Sequence, residues 1–501
     1  MRPTQPNDPA GVNWGIPVVI AAVVGGLVVW RTIVGRDEPA PIPTLSSGEA
    51  SAAPAPSAPV APRCVELSKQ PFTIGESGSP RPAPTPPSLG AGAPVEVPDE
   101  IDDDLTPFAV EIGRGAVYAN GFAAGARRDA EGGAVAMVAT IGFDGTGGKV
   151  VKLGRSRGDL DPPVVTGAGD VVLAALLEPN ASGRAIRIAR VKGDEVTWGV
   201  ELSEGHDESS ALDLAASGAR AVVVWDDVNA EEKRSHVMLS SFDIATMRSV
   251  TSARPVSSPK TDAGSPRLIA RPGGYWLGYL ASADEAQKKK KKDPSNAGEK
   301  PKKKGEDEGD DESGEAIQNG WIEVMPLDEN GAPTAAARPV TPRTGHAQAF
   351  DLELGEDGAA LLAWRDDDTP TGSIGGRLSS ALVRLGGAIE VHVLAEESFG
   401  AGVPDLLPGW LVVGGMGATK LGAIDLRGVL AGGLDPEPSL GTGEPLAATK
   451  DAILIAQPAG KAMRLGVVHC GAAPAAPAGT ASATSSGSTT SSASSASSGR
   501  P

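Results

Sequence analysis

Between Phe108 and Cys470, apolar runs of about five to eight residues alternate with short breaks of Gly, Asp and Pro. Runs of this length between turn formers predict β-strands joined by tight turns. Ahead of them stands an apolar segment of another kind, "WGIPVVIAAVVGGLVVW" from Trp14 to Trp30, which holds no charge and is bracketed by tryptophan. At about 1.5 Å per residue it reaches about 25 Å, and Ile33 and Val34 extend it if Arg31 snorkels, so it is long enough to cross a bilayer. Gly25, Gly26 and the Pro-rich stretch that follows argue against a buried core helix. The Ala50-Ser51-Ala52 match to a cleavage site lies too far downstream for a cleaved leader. The expectation is a single-pass anchor over 14–34 after a short segment 1–13.

The strand pattern repeats. "SSALDLAASGARAVVVWDD" (Ser209 to Asp227), "GSPRLIARPGGYWLGYLASAD" (Gly264 to Asp284) and "AQAFDLELGEDGAALLAWRDD" (Ala347 to Asp367) each hold a short strand, a Gly turn, an apolar strand and then acids. Each continues into a further strand, and two end in "ARPVS" at Ala253 and "ARPVT" at Ala337. Weaker copies occur at Gly115 to Gly154, Asp161 to Leu202, Val403 to Leu430 and Glu444 to Cys470. Four strands per unit, repeated, predict propeller blades, because one small twisted sheet cannot cover its own faces and a ring of them can. The last unit has only three strands, and "CVELSKQPFTI" from Cys64 is a candidate for the fourth. The expectation is an all-β chain with a single propeller of about seven four-stranded blades, six being the alternative, behind the transmembrane helix.

The domain plan that follows is a Pro/Ala/Ser linker at 35–63, a closing strand at 64–75 and a Pro-rich acidic linker at 76–107. The propeller then occupies 108–470, with an insertion at 284–318, and a Ser/Ala-rich tail fills 471–501. The two Ala-Arg-Pro-Val segments lie 84 residues apart, far beyond a blade of roughly 40 to 50. The charged stretch "KKKKKDPSNAGEKPKKKGEDEGDDE" accounts for the excess and belongs in a hairpin between the second and third strands of its blade.

With its strand rhythm and Trp225 and Trp364 followed by acids, the chain resembles uncharacterised, membrane-anchored β-propeller repeat proteins of high-GC bacteria. The resemblance implies an architecture and no activity, since propellers host enzymes and passive platforms alike.

Composition and charge narrow the partners. The net charge of −18 argues against nucleic acid, which demands a clustered positive surface. The charged insertion has a basic first half and an acidic second half, a polyampholyte that needs no partner. The five histidines stand singly, without zinc spacing, and no Gly-x-Ser-x-Gly or phosphate loop occurs in the repeats. The acids at Asp226 and Asp366 lack the Asp-x-Asp-x-Asp-Gly spacing of a calcium loop and read as solvated turns. No metal, cofactor or catalytic residue is therefore assigned.

One constellation follows from the repeats. Asp161, Asp207 or Glu208, Asp262, His346, Asp405 and Glu444 each stand in the loop preceding the first strand of a unit. In a propeller these loops lead to the innermost strands, so the side chains are candidates to ring the channel mouth and bind a cationic or polyhydroxylated ligand. Turn capping by Asp is the plainer explanation. The two cysteines, Cys64 and Cys470, bracket the repeats and predict a disulfide that closes the ring in an oxidising compartment.

The leading expectation is a non-enzymatic binding module on the outer side of a bacterial cell membrane, tethered through Trp14 to Trp30. Its partner would be an envelope protein or polysaccharide. A carboxylate-dependent glycan hydrolase or lyase and a cytoplasm-facing scaffold are the alternatives.

Overall fold

The computed structural model describes residues 64–66, 72–74 and most of 110–470; residues 1–63, 75–109, 284–319, 471–501 and several short loops lie outside the description. The anchor over 14–34 falls outside it. No helix among the described residues is long and apolar enough to cross a membrane.

The described chain is a seven-bladed β-propeller. Blade 1 comprises Val110–Tyr118, Gly121–Ala130, Gly133–Ile141 and Lys149–Ser156. Blade 2 comprises Val164–Ala168, Val171–Asn180, Gly183–Lys192 and Glu195–Trp198, with a fifth short strand, Glu204–Gly205. Blades 3 to 6 begin at Leu212, Thr261, Ala347 and Ala401, and each has four strands in chain order from the centre outward. Blade 7 takes Glu444–Ala448, Ala452–Ala459 and Ala462–Cys470 from the C-terminal end and is completed by two short strands, Cys64–Glu66 and Phe72–Ile74. The closing element is thus broken in two, both halves pairing with Ala462–Cys470.

The ring is held by seven hydrophobic clusters, one at each junction between neighbouring blades. The last of these junctions, blade 7 to blade 1, joins Leu446, Leu454 and Leu465 to Phe122 and Met137. Middle strands are covered on both faces, which is why they read as continuous apolar runs instead of alternating ones. Gly121–Ala130, for example, is buried along nearly its whole length. Small residues set the spacing. A Cβ on Gly125 would lie 1.6 Å from the carbonyl oxygen of Pro163, so no larger residue fits between blades 1 and 2.

The repeated Ala-Arg-Pro-Val segments form outer strands, and the arginine is the reason they recur. Arg254 of blade 3 donates to the Gly331 carbonyl of blade 4 at 2.9 Å. Arg338 of blade 4 donates to the Arg384 and Gly387 carbonyls of blade 5 at 3.0 and 2.6 Å. Each outer arginine therefore ties its blade to the next.

In blade 4, Gly274–Ala283 and Gly320–Leu327 are paired up to Ser282 and Gly320, so the charged stretch lies between the second and third strands. Replacing residues 284–319 by a four-residue Asn-Gly turn is expected to leave the melting temperature within a few degrees of the full chain, because the entropy of closing a loop grows slowly with its length. A collapse of cooperative melting in a calorimetric scan would contradict this.

Candidate functional site

Seven charged side chains of inner strands interact with one another across the ring: Arg114 of blade 1, Asp213 of blade 3, Arg267 of blade 4, Asp351 and Glu353 of blade 5, Asp405 of blade 6 and Glu444 of blade 7. Arg114 crosses the channel. Its Nη1 lies 2.5 Å from Oδ1 of Asp351, although blades 1 and 5 are not neighbours. Its Nη2 donates to the Leu406 carbonyl of blade 6 at 3.3 Å. Asp351 in turn accepts the Leu406 N–H on Oδ2 at 2.8 Å. Arg114, Asp351 and the backbone of Leu406 form a closed cycle of three contacts that clamps the peptide next to Asp405. Arg267 approaches the same carboxylate, its Nε 3.8 Å from Oδ1 of Asp351.

The Asp-Leu pairs of the repeats explain part of this geometry. Asp213 and Asp351 follow the residues that pair with Trp225 and Trp364, Leu212 and Phe350, so they hold the same register position in blades 3 and 5. Asp213 accepts the Leu268 N–H of blade 4 at 2.7 Å, as Asp351 accepts that of Leu406. Each joins its inner strand to the next. The acids after the tryptophans act within and between blades in a similar way. Asp226 accepts the N–H groups of Ala211 and Ser265, both at 3.1 Å, and Asp366 accepts that of His346 at 3.2 Å. These residues bond the backbone that leads into inner strands, in place of the solvated turns expected of them.

The channel charges shift one another. Burial opposes the charge of Arg114, but Asp351, Asp213, Glu353 and Asp405 outweigh it and hold the guanidinium firmly protonated. Burial raises the carboxyl of Asp213, against the opposing charges of Arg267 and Arg114. Glu353 is pushed up to about 6 by burial, while the Leu354 N–H and Arg114 pull it down. Asp405 is pushed up to about 7, first by burial and then by the charge of Asp351, with Arg114 opposing. Partial desolvation also raises Glu444, whose side chain stays exposed at the start of the innermost strand of blade 7. The carboxyl of Asp405 forms no hydrogen bond with a described residue, whereas that of Glu353 accepts the Leu354 N–H at 2.8 Å.

The residues proposed from sequence divide accordingly. Asp405 and Glu444 lie in the channel cluster. Asp262 instead accepts the Ser235 N–H of blade 3 at 2.7 Å, an inter-blade bond away from the axis. Asp161 is exposed ahead of blade 2, and His346 is half-buried beside Asp366. Asp207 and Glu208 lie outside the described residues. Arg114, Asp213, Arg267, Asp351 and Glu353 were not among the expected site residues. The signal that points to them is a charge inside an otherwise apolar inner strand, most plainly in "LDLAAS" and "FDLEL".

No family model and no curated protein matches the chain. Among solved structures, the β-propeller domain of the Trilobed protease from Pyrococcus furiosus is similar over 72% of this chain and 95% of that one, at 9% identity and a TM-score of 0.44. An α-L-arabinofuranosidase from Fusarium graminearum is similar over 72% and 93%, at 10% identity and a TM-score of 0.40. An endo-arabinase from Bacteroides thetaiotaomicron is similar over 53% and 89%, at 12% identity and a TM-score of 0.31. At these identities the likeness concerns the propeller fold alone.

Proposed function

We propose that the channel between blades 5, 6 and 7 binds a polyhydroxylated ligand, a glycan, and cleaves a glycosidic bond in it by acid-assisted hydrolysis. The observation that carries this reading is the placement of Asp405, a carboxyl with no hydrogen-bond partner among the described residues, beside the Arg114–Asp351 pair, where burial and the charge of Asp351 push it up to about 7. Glycoside hydrolysis needs one carboxyl that can give a proton and a second that is ionised at the same pH. Glu353, whose proton is lost near pH 6, meets the second requirement on the neighbouring blade. The two groups are in opposite states only between about pH 6 and 7, so activity is expected to peak there.

A non-enzymatic binding module is the second reading. It is favoured by the use of Asp213, Asp351 and Arg114 in holding inner strands together, which commits much of the polar channel to structure. Incubating the full chain with neutral, acidic and amino oligosaccharides decides between them. New reducing ends that form fastest at pH 6 to 7 and disappear in Asp405→Asn support hydrolysis; saturable binding without turnover supports the module; neither, across the panel, overturns the glycan reading.

The membrane anchor, export and an envelope polysaccharide or protein as ligand belong to the same proposal. They rest on the apolar Trp14 to Trp30 segment and on a disulfide of the kind formed in oxidising compartments. A reporter enzyme active only outside the cytoplasm, fused after Pro501, is expected to be active in cells. Activity of a cytoplasm-only reporter at that site would instead favour the cytoplasm-facing scaffold.

A further inference from the structure

The described chain begins and ends at one point. Cys64 opens the first closing strand, Cys470 ends the last strand of blade 7, and the two are direct partners in an antiparallel pair joined by a disulfide. The covalent path from residues before 64 to residues after 470 therefore runs through two sulfur atoms. The 406 residues of separation, with all seven blades, hang beside that path.

The position matters because of how the pair would fail without the bond. Strands Cys64–Glu66 and Ala462–Cys470 are antiparallel, and tension from the two tails would enter at the Cys64↔Cys470 end of their register. Such a load opens the ladder one hydrogen bond at a time, the weakest way to pull on paired strands, and only three residue pairs precede the break in the closing element. Opening would then expose the apolar junction of blades 6 and 7, to which Cys64 and Cys470 themselves belong. The disulfide sits at the first pair to receive the load. Cys64 and Cys470 are 2% and 1% exposed, which shields the bond from soluble thiols.

We propose that this clasp makes the protein a mechanical tether, in which tension between whatever holds the N-terminal segment and whatever holds the C-terminal tail bypasses the propeller. The binding site then keeps its geometry while the chain is stretched.

Single-molecule stretching of the full chain, held by handles at its two ends, tests this. The oxidised protein is expected to show no extension step from the propeller before the handles fail. The Cys64→Ser/Cys470→Ser variant is expected to open at low force and to release about 1,400 Å of chain, at about 3.5 Å per residue. A control attaches one handle within 284–319 in place of the C-terminal one, which puts the blades themselves under load, on both arms of the loop when Cys64 and Cys470 are joined, and should give unfolding steps in both forms. Equal steps in oxidised protein and variant pulled from their ends would overturn the proposal, as would reactive thiols in unreduced, denatured protein.

Discussion

Reduction of the Cys64–Cys470 disulfide, or its replacement by two serines, is expected to lower the stability of the propeller by on the order of 6 kcal/mol. The bond closes a loop of 406 residues, and the loss of chain entropy in the unfolded state grows with the logarithm of that length. The native ring changes little at first, since Phe72–Ile74 remains paired with blade 7 and Ile74 stays within the junction with blade 1. The effect therefore falls mainly on the unfolded chain. Denaturant melts with and without reductant measure it: a midpoint that falls sharply, with a steeper slope because the uncrosslinked unfolded chain exposes more surface, agrees, and superimposed curves contradict it.

Substitution Asp351→Ala is expected to cost about 3 kcal/mol, the second largest effect. Asp351 is 2% exposed and serves Arg114, Arg267 and the Leu406 N–H together, so its loss leaves a guanidinium and a backbone donor inside the ring without their acceptor. Arg114 retains 37% of its side-chain exposure, so channel water softens the penalty. Asp213→Ala is the matched control. Asp213 occupies the same register position and accepts the Leu268 N–H, but its influence on Arg114 is through charge at a distance, so about 1 to 2 kcal/mol is expected. Equal losses for the two substitutions in chemical denaturation would show that the cross-channel contact contributes nothing.

The architecture was largely legible in the sequence because blades are local. Strand, turn and next strand are consecutive, so the three strong copies and the two Ala-Arg-Pro-Val segments align directly along the chain, and the excess length of one blade exposes the insertion. The disulfide followed from where two cysteines stand relative to the repeats. The site was less legible, for a physical reason. It is assembled across the axis from blades that are far apart in the chain, as Arg114 and Asp351 are, and no spacing rule connects such residues. Asp262 recurs with the other acids at the start of an inner strand, and its carboxylate is occupied by the Ser235 N–H of blade 3. The more telling residues were Asp213 and Asp351, visible as Asp-Leu in the repeats. Whether a charge on an inner strand faces the axis depends on bulges such as the one between Ile112 and Gly115, which sequence does not announce.

The central claim is that the channel keeps a carboxyl protonated at Asp405, and the pH dependence of unfolding tests it most directly. An acid whose pKa is higher in the folded chain than in the unfolded one carries its proton into the native state. Its contribution to stability is full below about pH 4 and is lost as the pH rises through about 7. Stability of the disulfide-intact protein is therefore expected to fall between pH 5 and 8 by on the order of 1 to 2 kcal/mol more than that of Asp405→Asn, once water in the channel is allowed for. Curves that converge toward pH 5 and separate toward pH 8, with Asp405→Asn the more stable at the alkaline end, are the predicted result. Parallel curves across the whole range would mean that Asp405 titrates as an ordinary surface acid, and would remove the ground on which the hydrolytic reading stands.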